Sequence, residues 1–160
     1  MINLTVKPTR DEILLAFRHL FLSIQVNLYP DDDAINGFFT AITIEEYPEF
    51  FETCLRSGGS GNYNGIAGFA RGPQPAEIDW PTSVPALPDN QVTLGGQYFG
   101  GAIIPVNEFL EIALCLAREV LKAAEERKLM EREVVNEAWV KSIQSSIPKM
   151  EAALAAMNED

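Results

Sequence analysis

Between Asn107 and Lys128 the chain reads NEFLEIALCLAREVLKAAEERK, a stretch that is apolar nearly all the way round for its first two-thirds. Phe109, Leu110, Ile112, Ala113, Leu114, Cys115, Leu116, Ala117, Val120, Leu121 and Ala124 leave almost no polar face, so a helix here must be covered on more than one side. Glu108, Glu111, Arg118 and Glu119 interrupt it too often for a membrane span. Asn107 is the expected N-cap, with Glu108 and Glu111 where the helix dipole favours anions and Arg127 and Lys128 where it favours cations. This helix sets the core, and the remaining segments must supply what covers it.

Ile2 to Val6 alternates apolar and polar residues, the pattern of a short half-buried strand. Thr9 and Glu12 form a capping-box pair ahead of Ile13, Phe17, Leu20, Phe21, Ile24 and Leu28, a spacing that predicts a helix from Thr9 to Leu28 closed by Tyr29-Pro30. Asp31, Asp32 and Asp33 do not fit a calcium loop. Counting from Asp31 the fifth position is Ile35, and counting from Asp32 the twelfth is Thr43 where a bidentate Glu is needed. They read instead as an acidic cap and first turn for a helix over Ala34–Ala41. Tyr47, Phe50, Phe51, Cys54 and Leu55 return to helical spacing, backed by Glu45, Glu46, Glu49 and Glu52.

The glycine-rich run from Ser57 to Gly72 lacks the Lys-Ser/Thr of a phosphate loop and reads as a turn-rich connection, with a short strand near Ile66–Ala70. Five prolines from Pro73 to Pro88 exclude a long helix or a central strand there, with Ile78 and Trp80 expected to pin the segment onto the core. Val92 and Leu94, the pair Gly95-Gly96 and then Tyr98 to Ile104 predict a hairpin. Beyond the central helix, a further helix is expected over Glu131–Ile147. Pro148 is expected to break or restart it ahead of Met150, Ala153, Leu154 and Met157. The fold expected is α+β: a helix-dominated single domain over residues 1–160 with a small antiparallel β-sheet and an irregular Gly/Pro-rich segment at 57–90.

Charge narrows function more than any motif does. The net charge is −11, and between His19 and Arg118 the only bases are Arg56 and Arg71, against acids running from Asp31 to Glu111. Such a chain repels nucleic acid and anionic membranes and attracts basic proteins. The single histidine, His19, and two separated cysteines do not make an ordinary zinc site, and no Gly-x-Ser-x-Gly elbow occurs. Cys54 and Cys115 lie on apolar helical faces and are expected to be buried free thiols. No cofactor motif is present, and no signal peptide is visible, which points to the cytoplasm.

These features lead to an expected non-enzymatic acidic binding protein that masks a basic protein partner, as an immunity protein or antitoxin neutralises a toxin. The candidate contacts are Asp31, Asp32, Asp33, Glu45, Glu46, Glu49 and Glu52, with Tyr63 and Trp80 as aromatic anchors in the Gly/Pro-rich region. Two alternatives stand beside it. One is a self-associating structural or assembly subunit, a homo-oligomer joined through Met150, Leu154 and Met157. The other is a small-molecule enzyme or binder that uses residues 58–88 as a lid.

Overall fold

The computed structural model describes residues 3–6, 14–19, 24–29, 33–73, 88–126, 129 and 133–158. The N-terminal strand is present as β1 (Asn3–Val6), but the residues expected to continue as a helix supply two more strands, β2 (Leu14–His19) and β3 (Ile24–Tyr29). The three form an antiparallel sheet in the order β1-β2-β3. Ile24, Val26 and Leu28 alternate with Gln25, Asn27 and Tyr29. So apolar-rich a segment satisfies a period of two as well as one of 3.6, and strand pairing decides between them. The Thr9–Glu12 capping pair lies outside the described residues.

The edge of β3 is closed by a helix rather than by a fourth strand. α1 (Asp33–Ala41) follows, and its Thr40 hydroxyl accepts the Val26 N–H at 2.8 Å and donates to the Val26 C=O at 3.3 Å. One side chain thus takes up a donor and an acceptor that an edge strand would otherwise offer to another chain. Gly37, inside this helix, is where the Phe99 ring packs; a Cβ there would occupy the ring's position.

A 3₁₀ turn (Ile44–Glu46) leads into α2 (Tyr47–Cys54), with Pro48 in the first turn, where a missing N–H breaks no helical bond. The chain then doubles back at once into β4 (Ser60–Tyr63) and β5 (Ala67–Arg71). The expected turn-rich connection over Ser57–Gly72 is therefore a hairpin, and the short strand expected near Ile66–Ala70 is its second arm, β5. Its turn carries φ of 52° at Asn64 and 68° at Gly65, and Ile66 N–H bonds to Tyr63 C=O at 3.1 Å. Two consecutive positive φ values make a primed turn, whose twist matches that of paired strands. Residues 74–87, with Ile78 and Trp80, lie outside the described residues.

The expected second hairpin is β6 (Gln91–Gly96) with β7 (Gly100–Pro105), and the four strands run β4-β5-β6-β7, all antiparallel. Its turn is Gln97–Phe99, so Gly95 and Gly96 are the last residues of a strand rather than the turn itself. α3 (Val106–Glu125) is the central helix, with Phe109, Leu110, Ala113, Leu116, Ala117 and Val120 fully buried. Its N-cap is Pro105, not Asn107, and the first helical N–H, that of Val106, bonds to Asn90 C=O at 2.9 Å. The preceding strand hands its ladder directly to the helix, so no capping side chain is required.

α4 (Glu137–Asn158) is capped by Asn136, whose side-chain carbonyl accepts the Trp139 N–H at 2.9 Å. It runs straight through Pro148. Pro148 and Gln144 are both exposed, so the Gln144 carbonyl that the proline leaves without a helical donor faces water. Trp139, Ile143, Met150 and Leu154 form its buried stripe. The result is an α+β fold of four helices and two antiparallel sheets among the described residues. Its heart is a cluster of rings from α1 (Phe38, Phe39), α2 (Phe50), β4 (Tyr63), β5 (Phe69) and α3 (Phe109), wedged between helices and sheet.

Candidate functional site

The 3₁₀ turn and α2 carry two opposed faces. Tyr47, Phe50, Phe51 and Cys54 point inward and are 0% exposed, which fixes the helix against the core. Glu45, Glu49 and Glu52, spaced four and three residues apart, stand on the outer side and are all exposed. The ridge they make is roughly 10 Å long at about 1.5 Å per residue. Among the described residues none of the three is in an ion pair; Glu52 accepts only a 3.3 Å hydrogen bond from the Ser142 hydroxyl of α4. Neighbouring like charges at these spacings cost about 0.2–0.5 kcal/mol per pair, offset here by the buried face and, for Glu45 and Glu49, by the helix N-terminus.

Glu46 has a different task. One carboxylate oxygen accepts from the Thr43 N–H at 2.9 Å and the Thr43 hydroxyl at 2.8 Å, and the other accepts from the Asn64 N–H at 3.1 Å. It is a structural tie between the start of α2 and the β4–β5 turn rather than a free contact. Asp33 is exposed at the first position of α1, whereas Asp31, Asp32 and Trp80 lie outside the described residues. Tyr63 is only 4% exposed and belongs to the ring cluster, so it is not a surface anchor. Its place is set by the alternation of β4, in which Gly61 and Tyr63 face the core side opposite Phe69 and Ala67. Burial, with the nearby Cys54, Glu49 and Glu46, pushes its phenol well above the ordinary tyrosine range.

Both cysteines are free and buried. Burial raises the Cys54 thiol well above its ordinary value, and the Arg71 guanidinium opposes this only in part. Arg71, its own pKa lowered by burial, donates from Nη1 to the Cys54 C=O at 2.6 Å and so caps the C-terminal end of α2. Burial also raises Cys115. A thiol-alkylating reagent is therefore expected to leave the native protein unmodified while labelling both cysteines in denaturant, as read by intact mass. Rapid native labelling at either position would contradict the burial described here.

Among the described residues no three His, Cys, Asp or Glu side chains converge as a metal site would require, and no helix is long and apolar enough to cross a membrane. The apolar stripe of α4 is not available for self-association. Met150 is 0% and Leu154 8% exposed, because the stripe packs on the molecule's own core, leaving Met157 half-buried at its end. Two large apolar side chains that are exposed come from a place the spacing did not mark: Tyr98 at the β6–β7 turn and Ile103 on β7. A cleft of about 380 Å³ opens near the start of α3, lined by Asp89, Asn90, Pro105, Val106, Asn107 and Met157. No family model, no curated protein and no solved structure matches this chain.

Proposed function

We propose that the chain is a non-enzymatic acidic binding protein that masks a basic protein partner in the cytoplasm, in the manner of an immunity protein or antitoxin covering a toxin's cationic groove. The observation that carries this reading is the ridge of Glu45, Glu49 and Glu52, exposed and outside any ion pair on a helix whose other face is locked into the core. Charges held on a rigid element attract a complementary patch at long range, with little entropy lost on contact. Asp33, Asp31 and Asp32 extend the same acidic character along the sequence. The net charge of −11 directs the choice of partner toward basic proteins and away from nucleic acid and anionic membranes.

The test is to capture the partner from the native host and measure its association and dissociation rates against salt. Raising salt from about 0.01 M to about 0.1 M shortens the Debye length from about 30 Å to about 10 Å, so the association rate is expected to fall roughly tenfold or more while dissociation changes far less. Combined replacement of Glu45, Glu49 and Glu52 by Gln is expected to reproduce the high-salt association rate at low salt and to leave the melting temperature nearly unchanged. A triple variant with wild-type rates and wild-type salt dependence would remove the ridge from the binding face.

A further inference from the structure

β7 ends the strand order β4-β5-β6-β7, and β6 is its strand partner among the described residues. Gly100, Gly101, Ile103 and Pro105 along it are exposed. The ladder determines which backbone groups are left over. Val106 N–H bonds to Asn90 C=O, and in the same register Val92 faces Ile104, Leu94 faces Ala102 and Gly96 faces Gly100. Alternate residues of an antiparallel strand point to the same side, so these pairs carry the β6–β7 bonds. Gly101 and Ile103 then direct N–H and C=O away from β6, and Pro105 directs its C=O the same way.

Edges of this kind are blunted by charged side chains, especially Lys, by proline or by a covering element, and β7 carries one of these devices, Pro105 at its last position. Here no charged side chain occurs between Asp89 and Glu108, although the chain holds 23 acidic and 12 basic residues. Tyr98 at 78% exposure and Ile103 at 54% both stand on this uncharged hairpin. A second copy of the chain also carries −11 and is repelled from acidic faces, so it can approach closely only where charge is absent. The opposite edge does not qualify, because the turn after β4 bonds to Glu46 beside the acidic ridge. A basic partner, conversely, gains no attraction from a neutral strand.

We infer that two copies pair antiparallel through β7 about a two-fold axis, each inserting Tyr98 into the cleft at the start of α3 on the other. With Gly101 opposite Ile103 of the second copy, and the reverse, all N–H and C=O groups of these two residues are bonded across the axis. Each Ile103 side chain then lies beside a glycine, where no Cβ obstructs it. In this pairing the turn that precedes β7 on one copy, which carries Tyr98, comes to the end of β7 on the other, where α3 begins and Val106 lines the 380 Å³ cleft. Pro105, Val106 and Met157 offer the ring an apolar wall, and Asn90, Asn107 and Asp89 offer partners for the phenol O–H. Strand and cleft on one copy meet cleft and strand on the other, as a closed two-fold contact requires.

The salt dependence has the opposite sign to that of a basic partner. Screening relieves the repulsion between two chains of like charge, so self-association strengthens as salt rises. This inference does not rest on the acidic-ridge reading, and either can fail alone. Sedimentation of the full chain over a concentration series is expected to show conversion from 17.7 kDa to twice that mass, at lower concentration in about 0.5 M than in about 0.05 M NaCl. Tyr98→Ala and Ile103→Glu are each expected to weaken self-association by about tenfold or more with an unchanged melting temperature, since both positions are exposed. The Gly101 and Ile103 amides should exchange with solvent more slowly as protein concentration rises. A single 17.7 kDa species at every concentration in high salt would overturn the inference, as would a dimer that neither substitution weakens.

Discussion

Replacing Phe50 by alanine is expected to lower the unfolding free energy by about 3–5 kcal/mol. The ring is 0% exposed, and its centroid lies 6.0 Å from Phe38, 6.0 Å from Phe39, 5.4 Å from Tyr63, 5.8 Å from Phe69 and 6.1 Å from Phe109. Most of these contacts are edge-on, the arrangement in which ring quadrupoles attract. The neighbours belong to α1, β4, β5 and α3, so no single element can move in to fill the void without pulling away from another. A cavity that cannot collapse carries the full cost of lost packing. Domains of this size are stable by about 5–15 kcal/mol, so the variant should retain only a fraction of the native margin. Urea denaturation gives the answer: the midpoint should fall sharply with little change in slope. A loss under about 1 kcal/mol would mean that the cluster is not the structural centre.

The central helix was legible in the sequence because its apolar residues exceed any single face, and burial on several sides is the only outcome for such a pattern. α2 was legible for a related reason: its aromatic and acidic residues separate cleanly at helical spacing. The segment from Leu14 to Tyr29 was not, since runs rich in apolar residues on both periods give no preference until a pairing strand exists. The β4–β5 hairpin is obscured by the glycine content of Ser57–Gly72, and its signal is the dipeptide Asn64-Gly65, a strong primed-turn sequence. At Pro148 the local rule is overridden by tertiary contacts, with Trp139 and Ile143 buried before the proline and Met150 and Leu154 buried after it.

The candidate site divides in the same way. Acidity is a property of composition and was visible at once, but which carboxylates are free depends on contacts distant in sequence. Glu46 is tied to Asn64, eighteen positions on, whereas Glu45, one residue earlier, faces solvent. Tyr63 reads as a loop aromatic until β4 acquires partners, and then its register directs it inward. Tyr98 and Ile103 read as ordinary hairpin apolar residues. Only the absence of any charge from Asn90 to Asn107 marks that strand as different, and an absence is not a motif.

The other large loss is expected at Trp139, where a packing contact and a buried hydrogen bond coincide. Its indole Nε1–H donates to the Ile44 C=O at 2.8 Å with both groups out of water, joining α4 to the 3₁₀ turn that precedes the acidic ridge. Trp139→Phe keeps most of the ring but removes this bond, leaving the Ile44 carbonyl with the Tyr47 N–H alone, at an expected cost of about 0.5–1.5 kcal/mol. Trp139→Ala adds the cavity and should cost about 3–5 kcal/mol. Little else at the surface can compensate. The Arg118–Glu151 pair between α3 and α4 is 3.2 Å long but half exposed, and such pairs contribute at most about 1 kcal/mol. The loss should therefore be local before it is global. In Trp139→Ala the amides of α4 are expected to exchange well ahead of those of α3, whose burial against α1, α2 and the sheet is untouched. Equal loss of protection in both helices would show that α4 is not a separable layer, and a neutral Trp139→Phe would show that the Tyr47 N–H satisfies the Ile44 carbonyl by itself. The functional consequence follows from position: with α4 released, the 3₁₀ turn that carries Glu45 loses one of its anchors, while the buried face of α2 still holds Glu49 and Glu52.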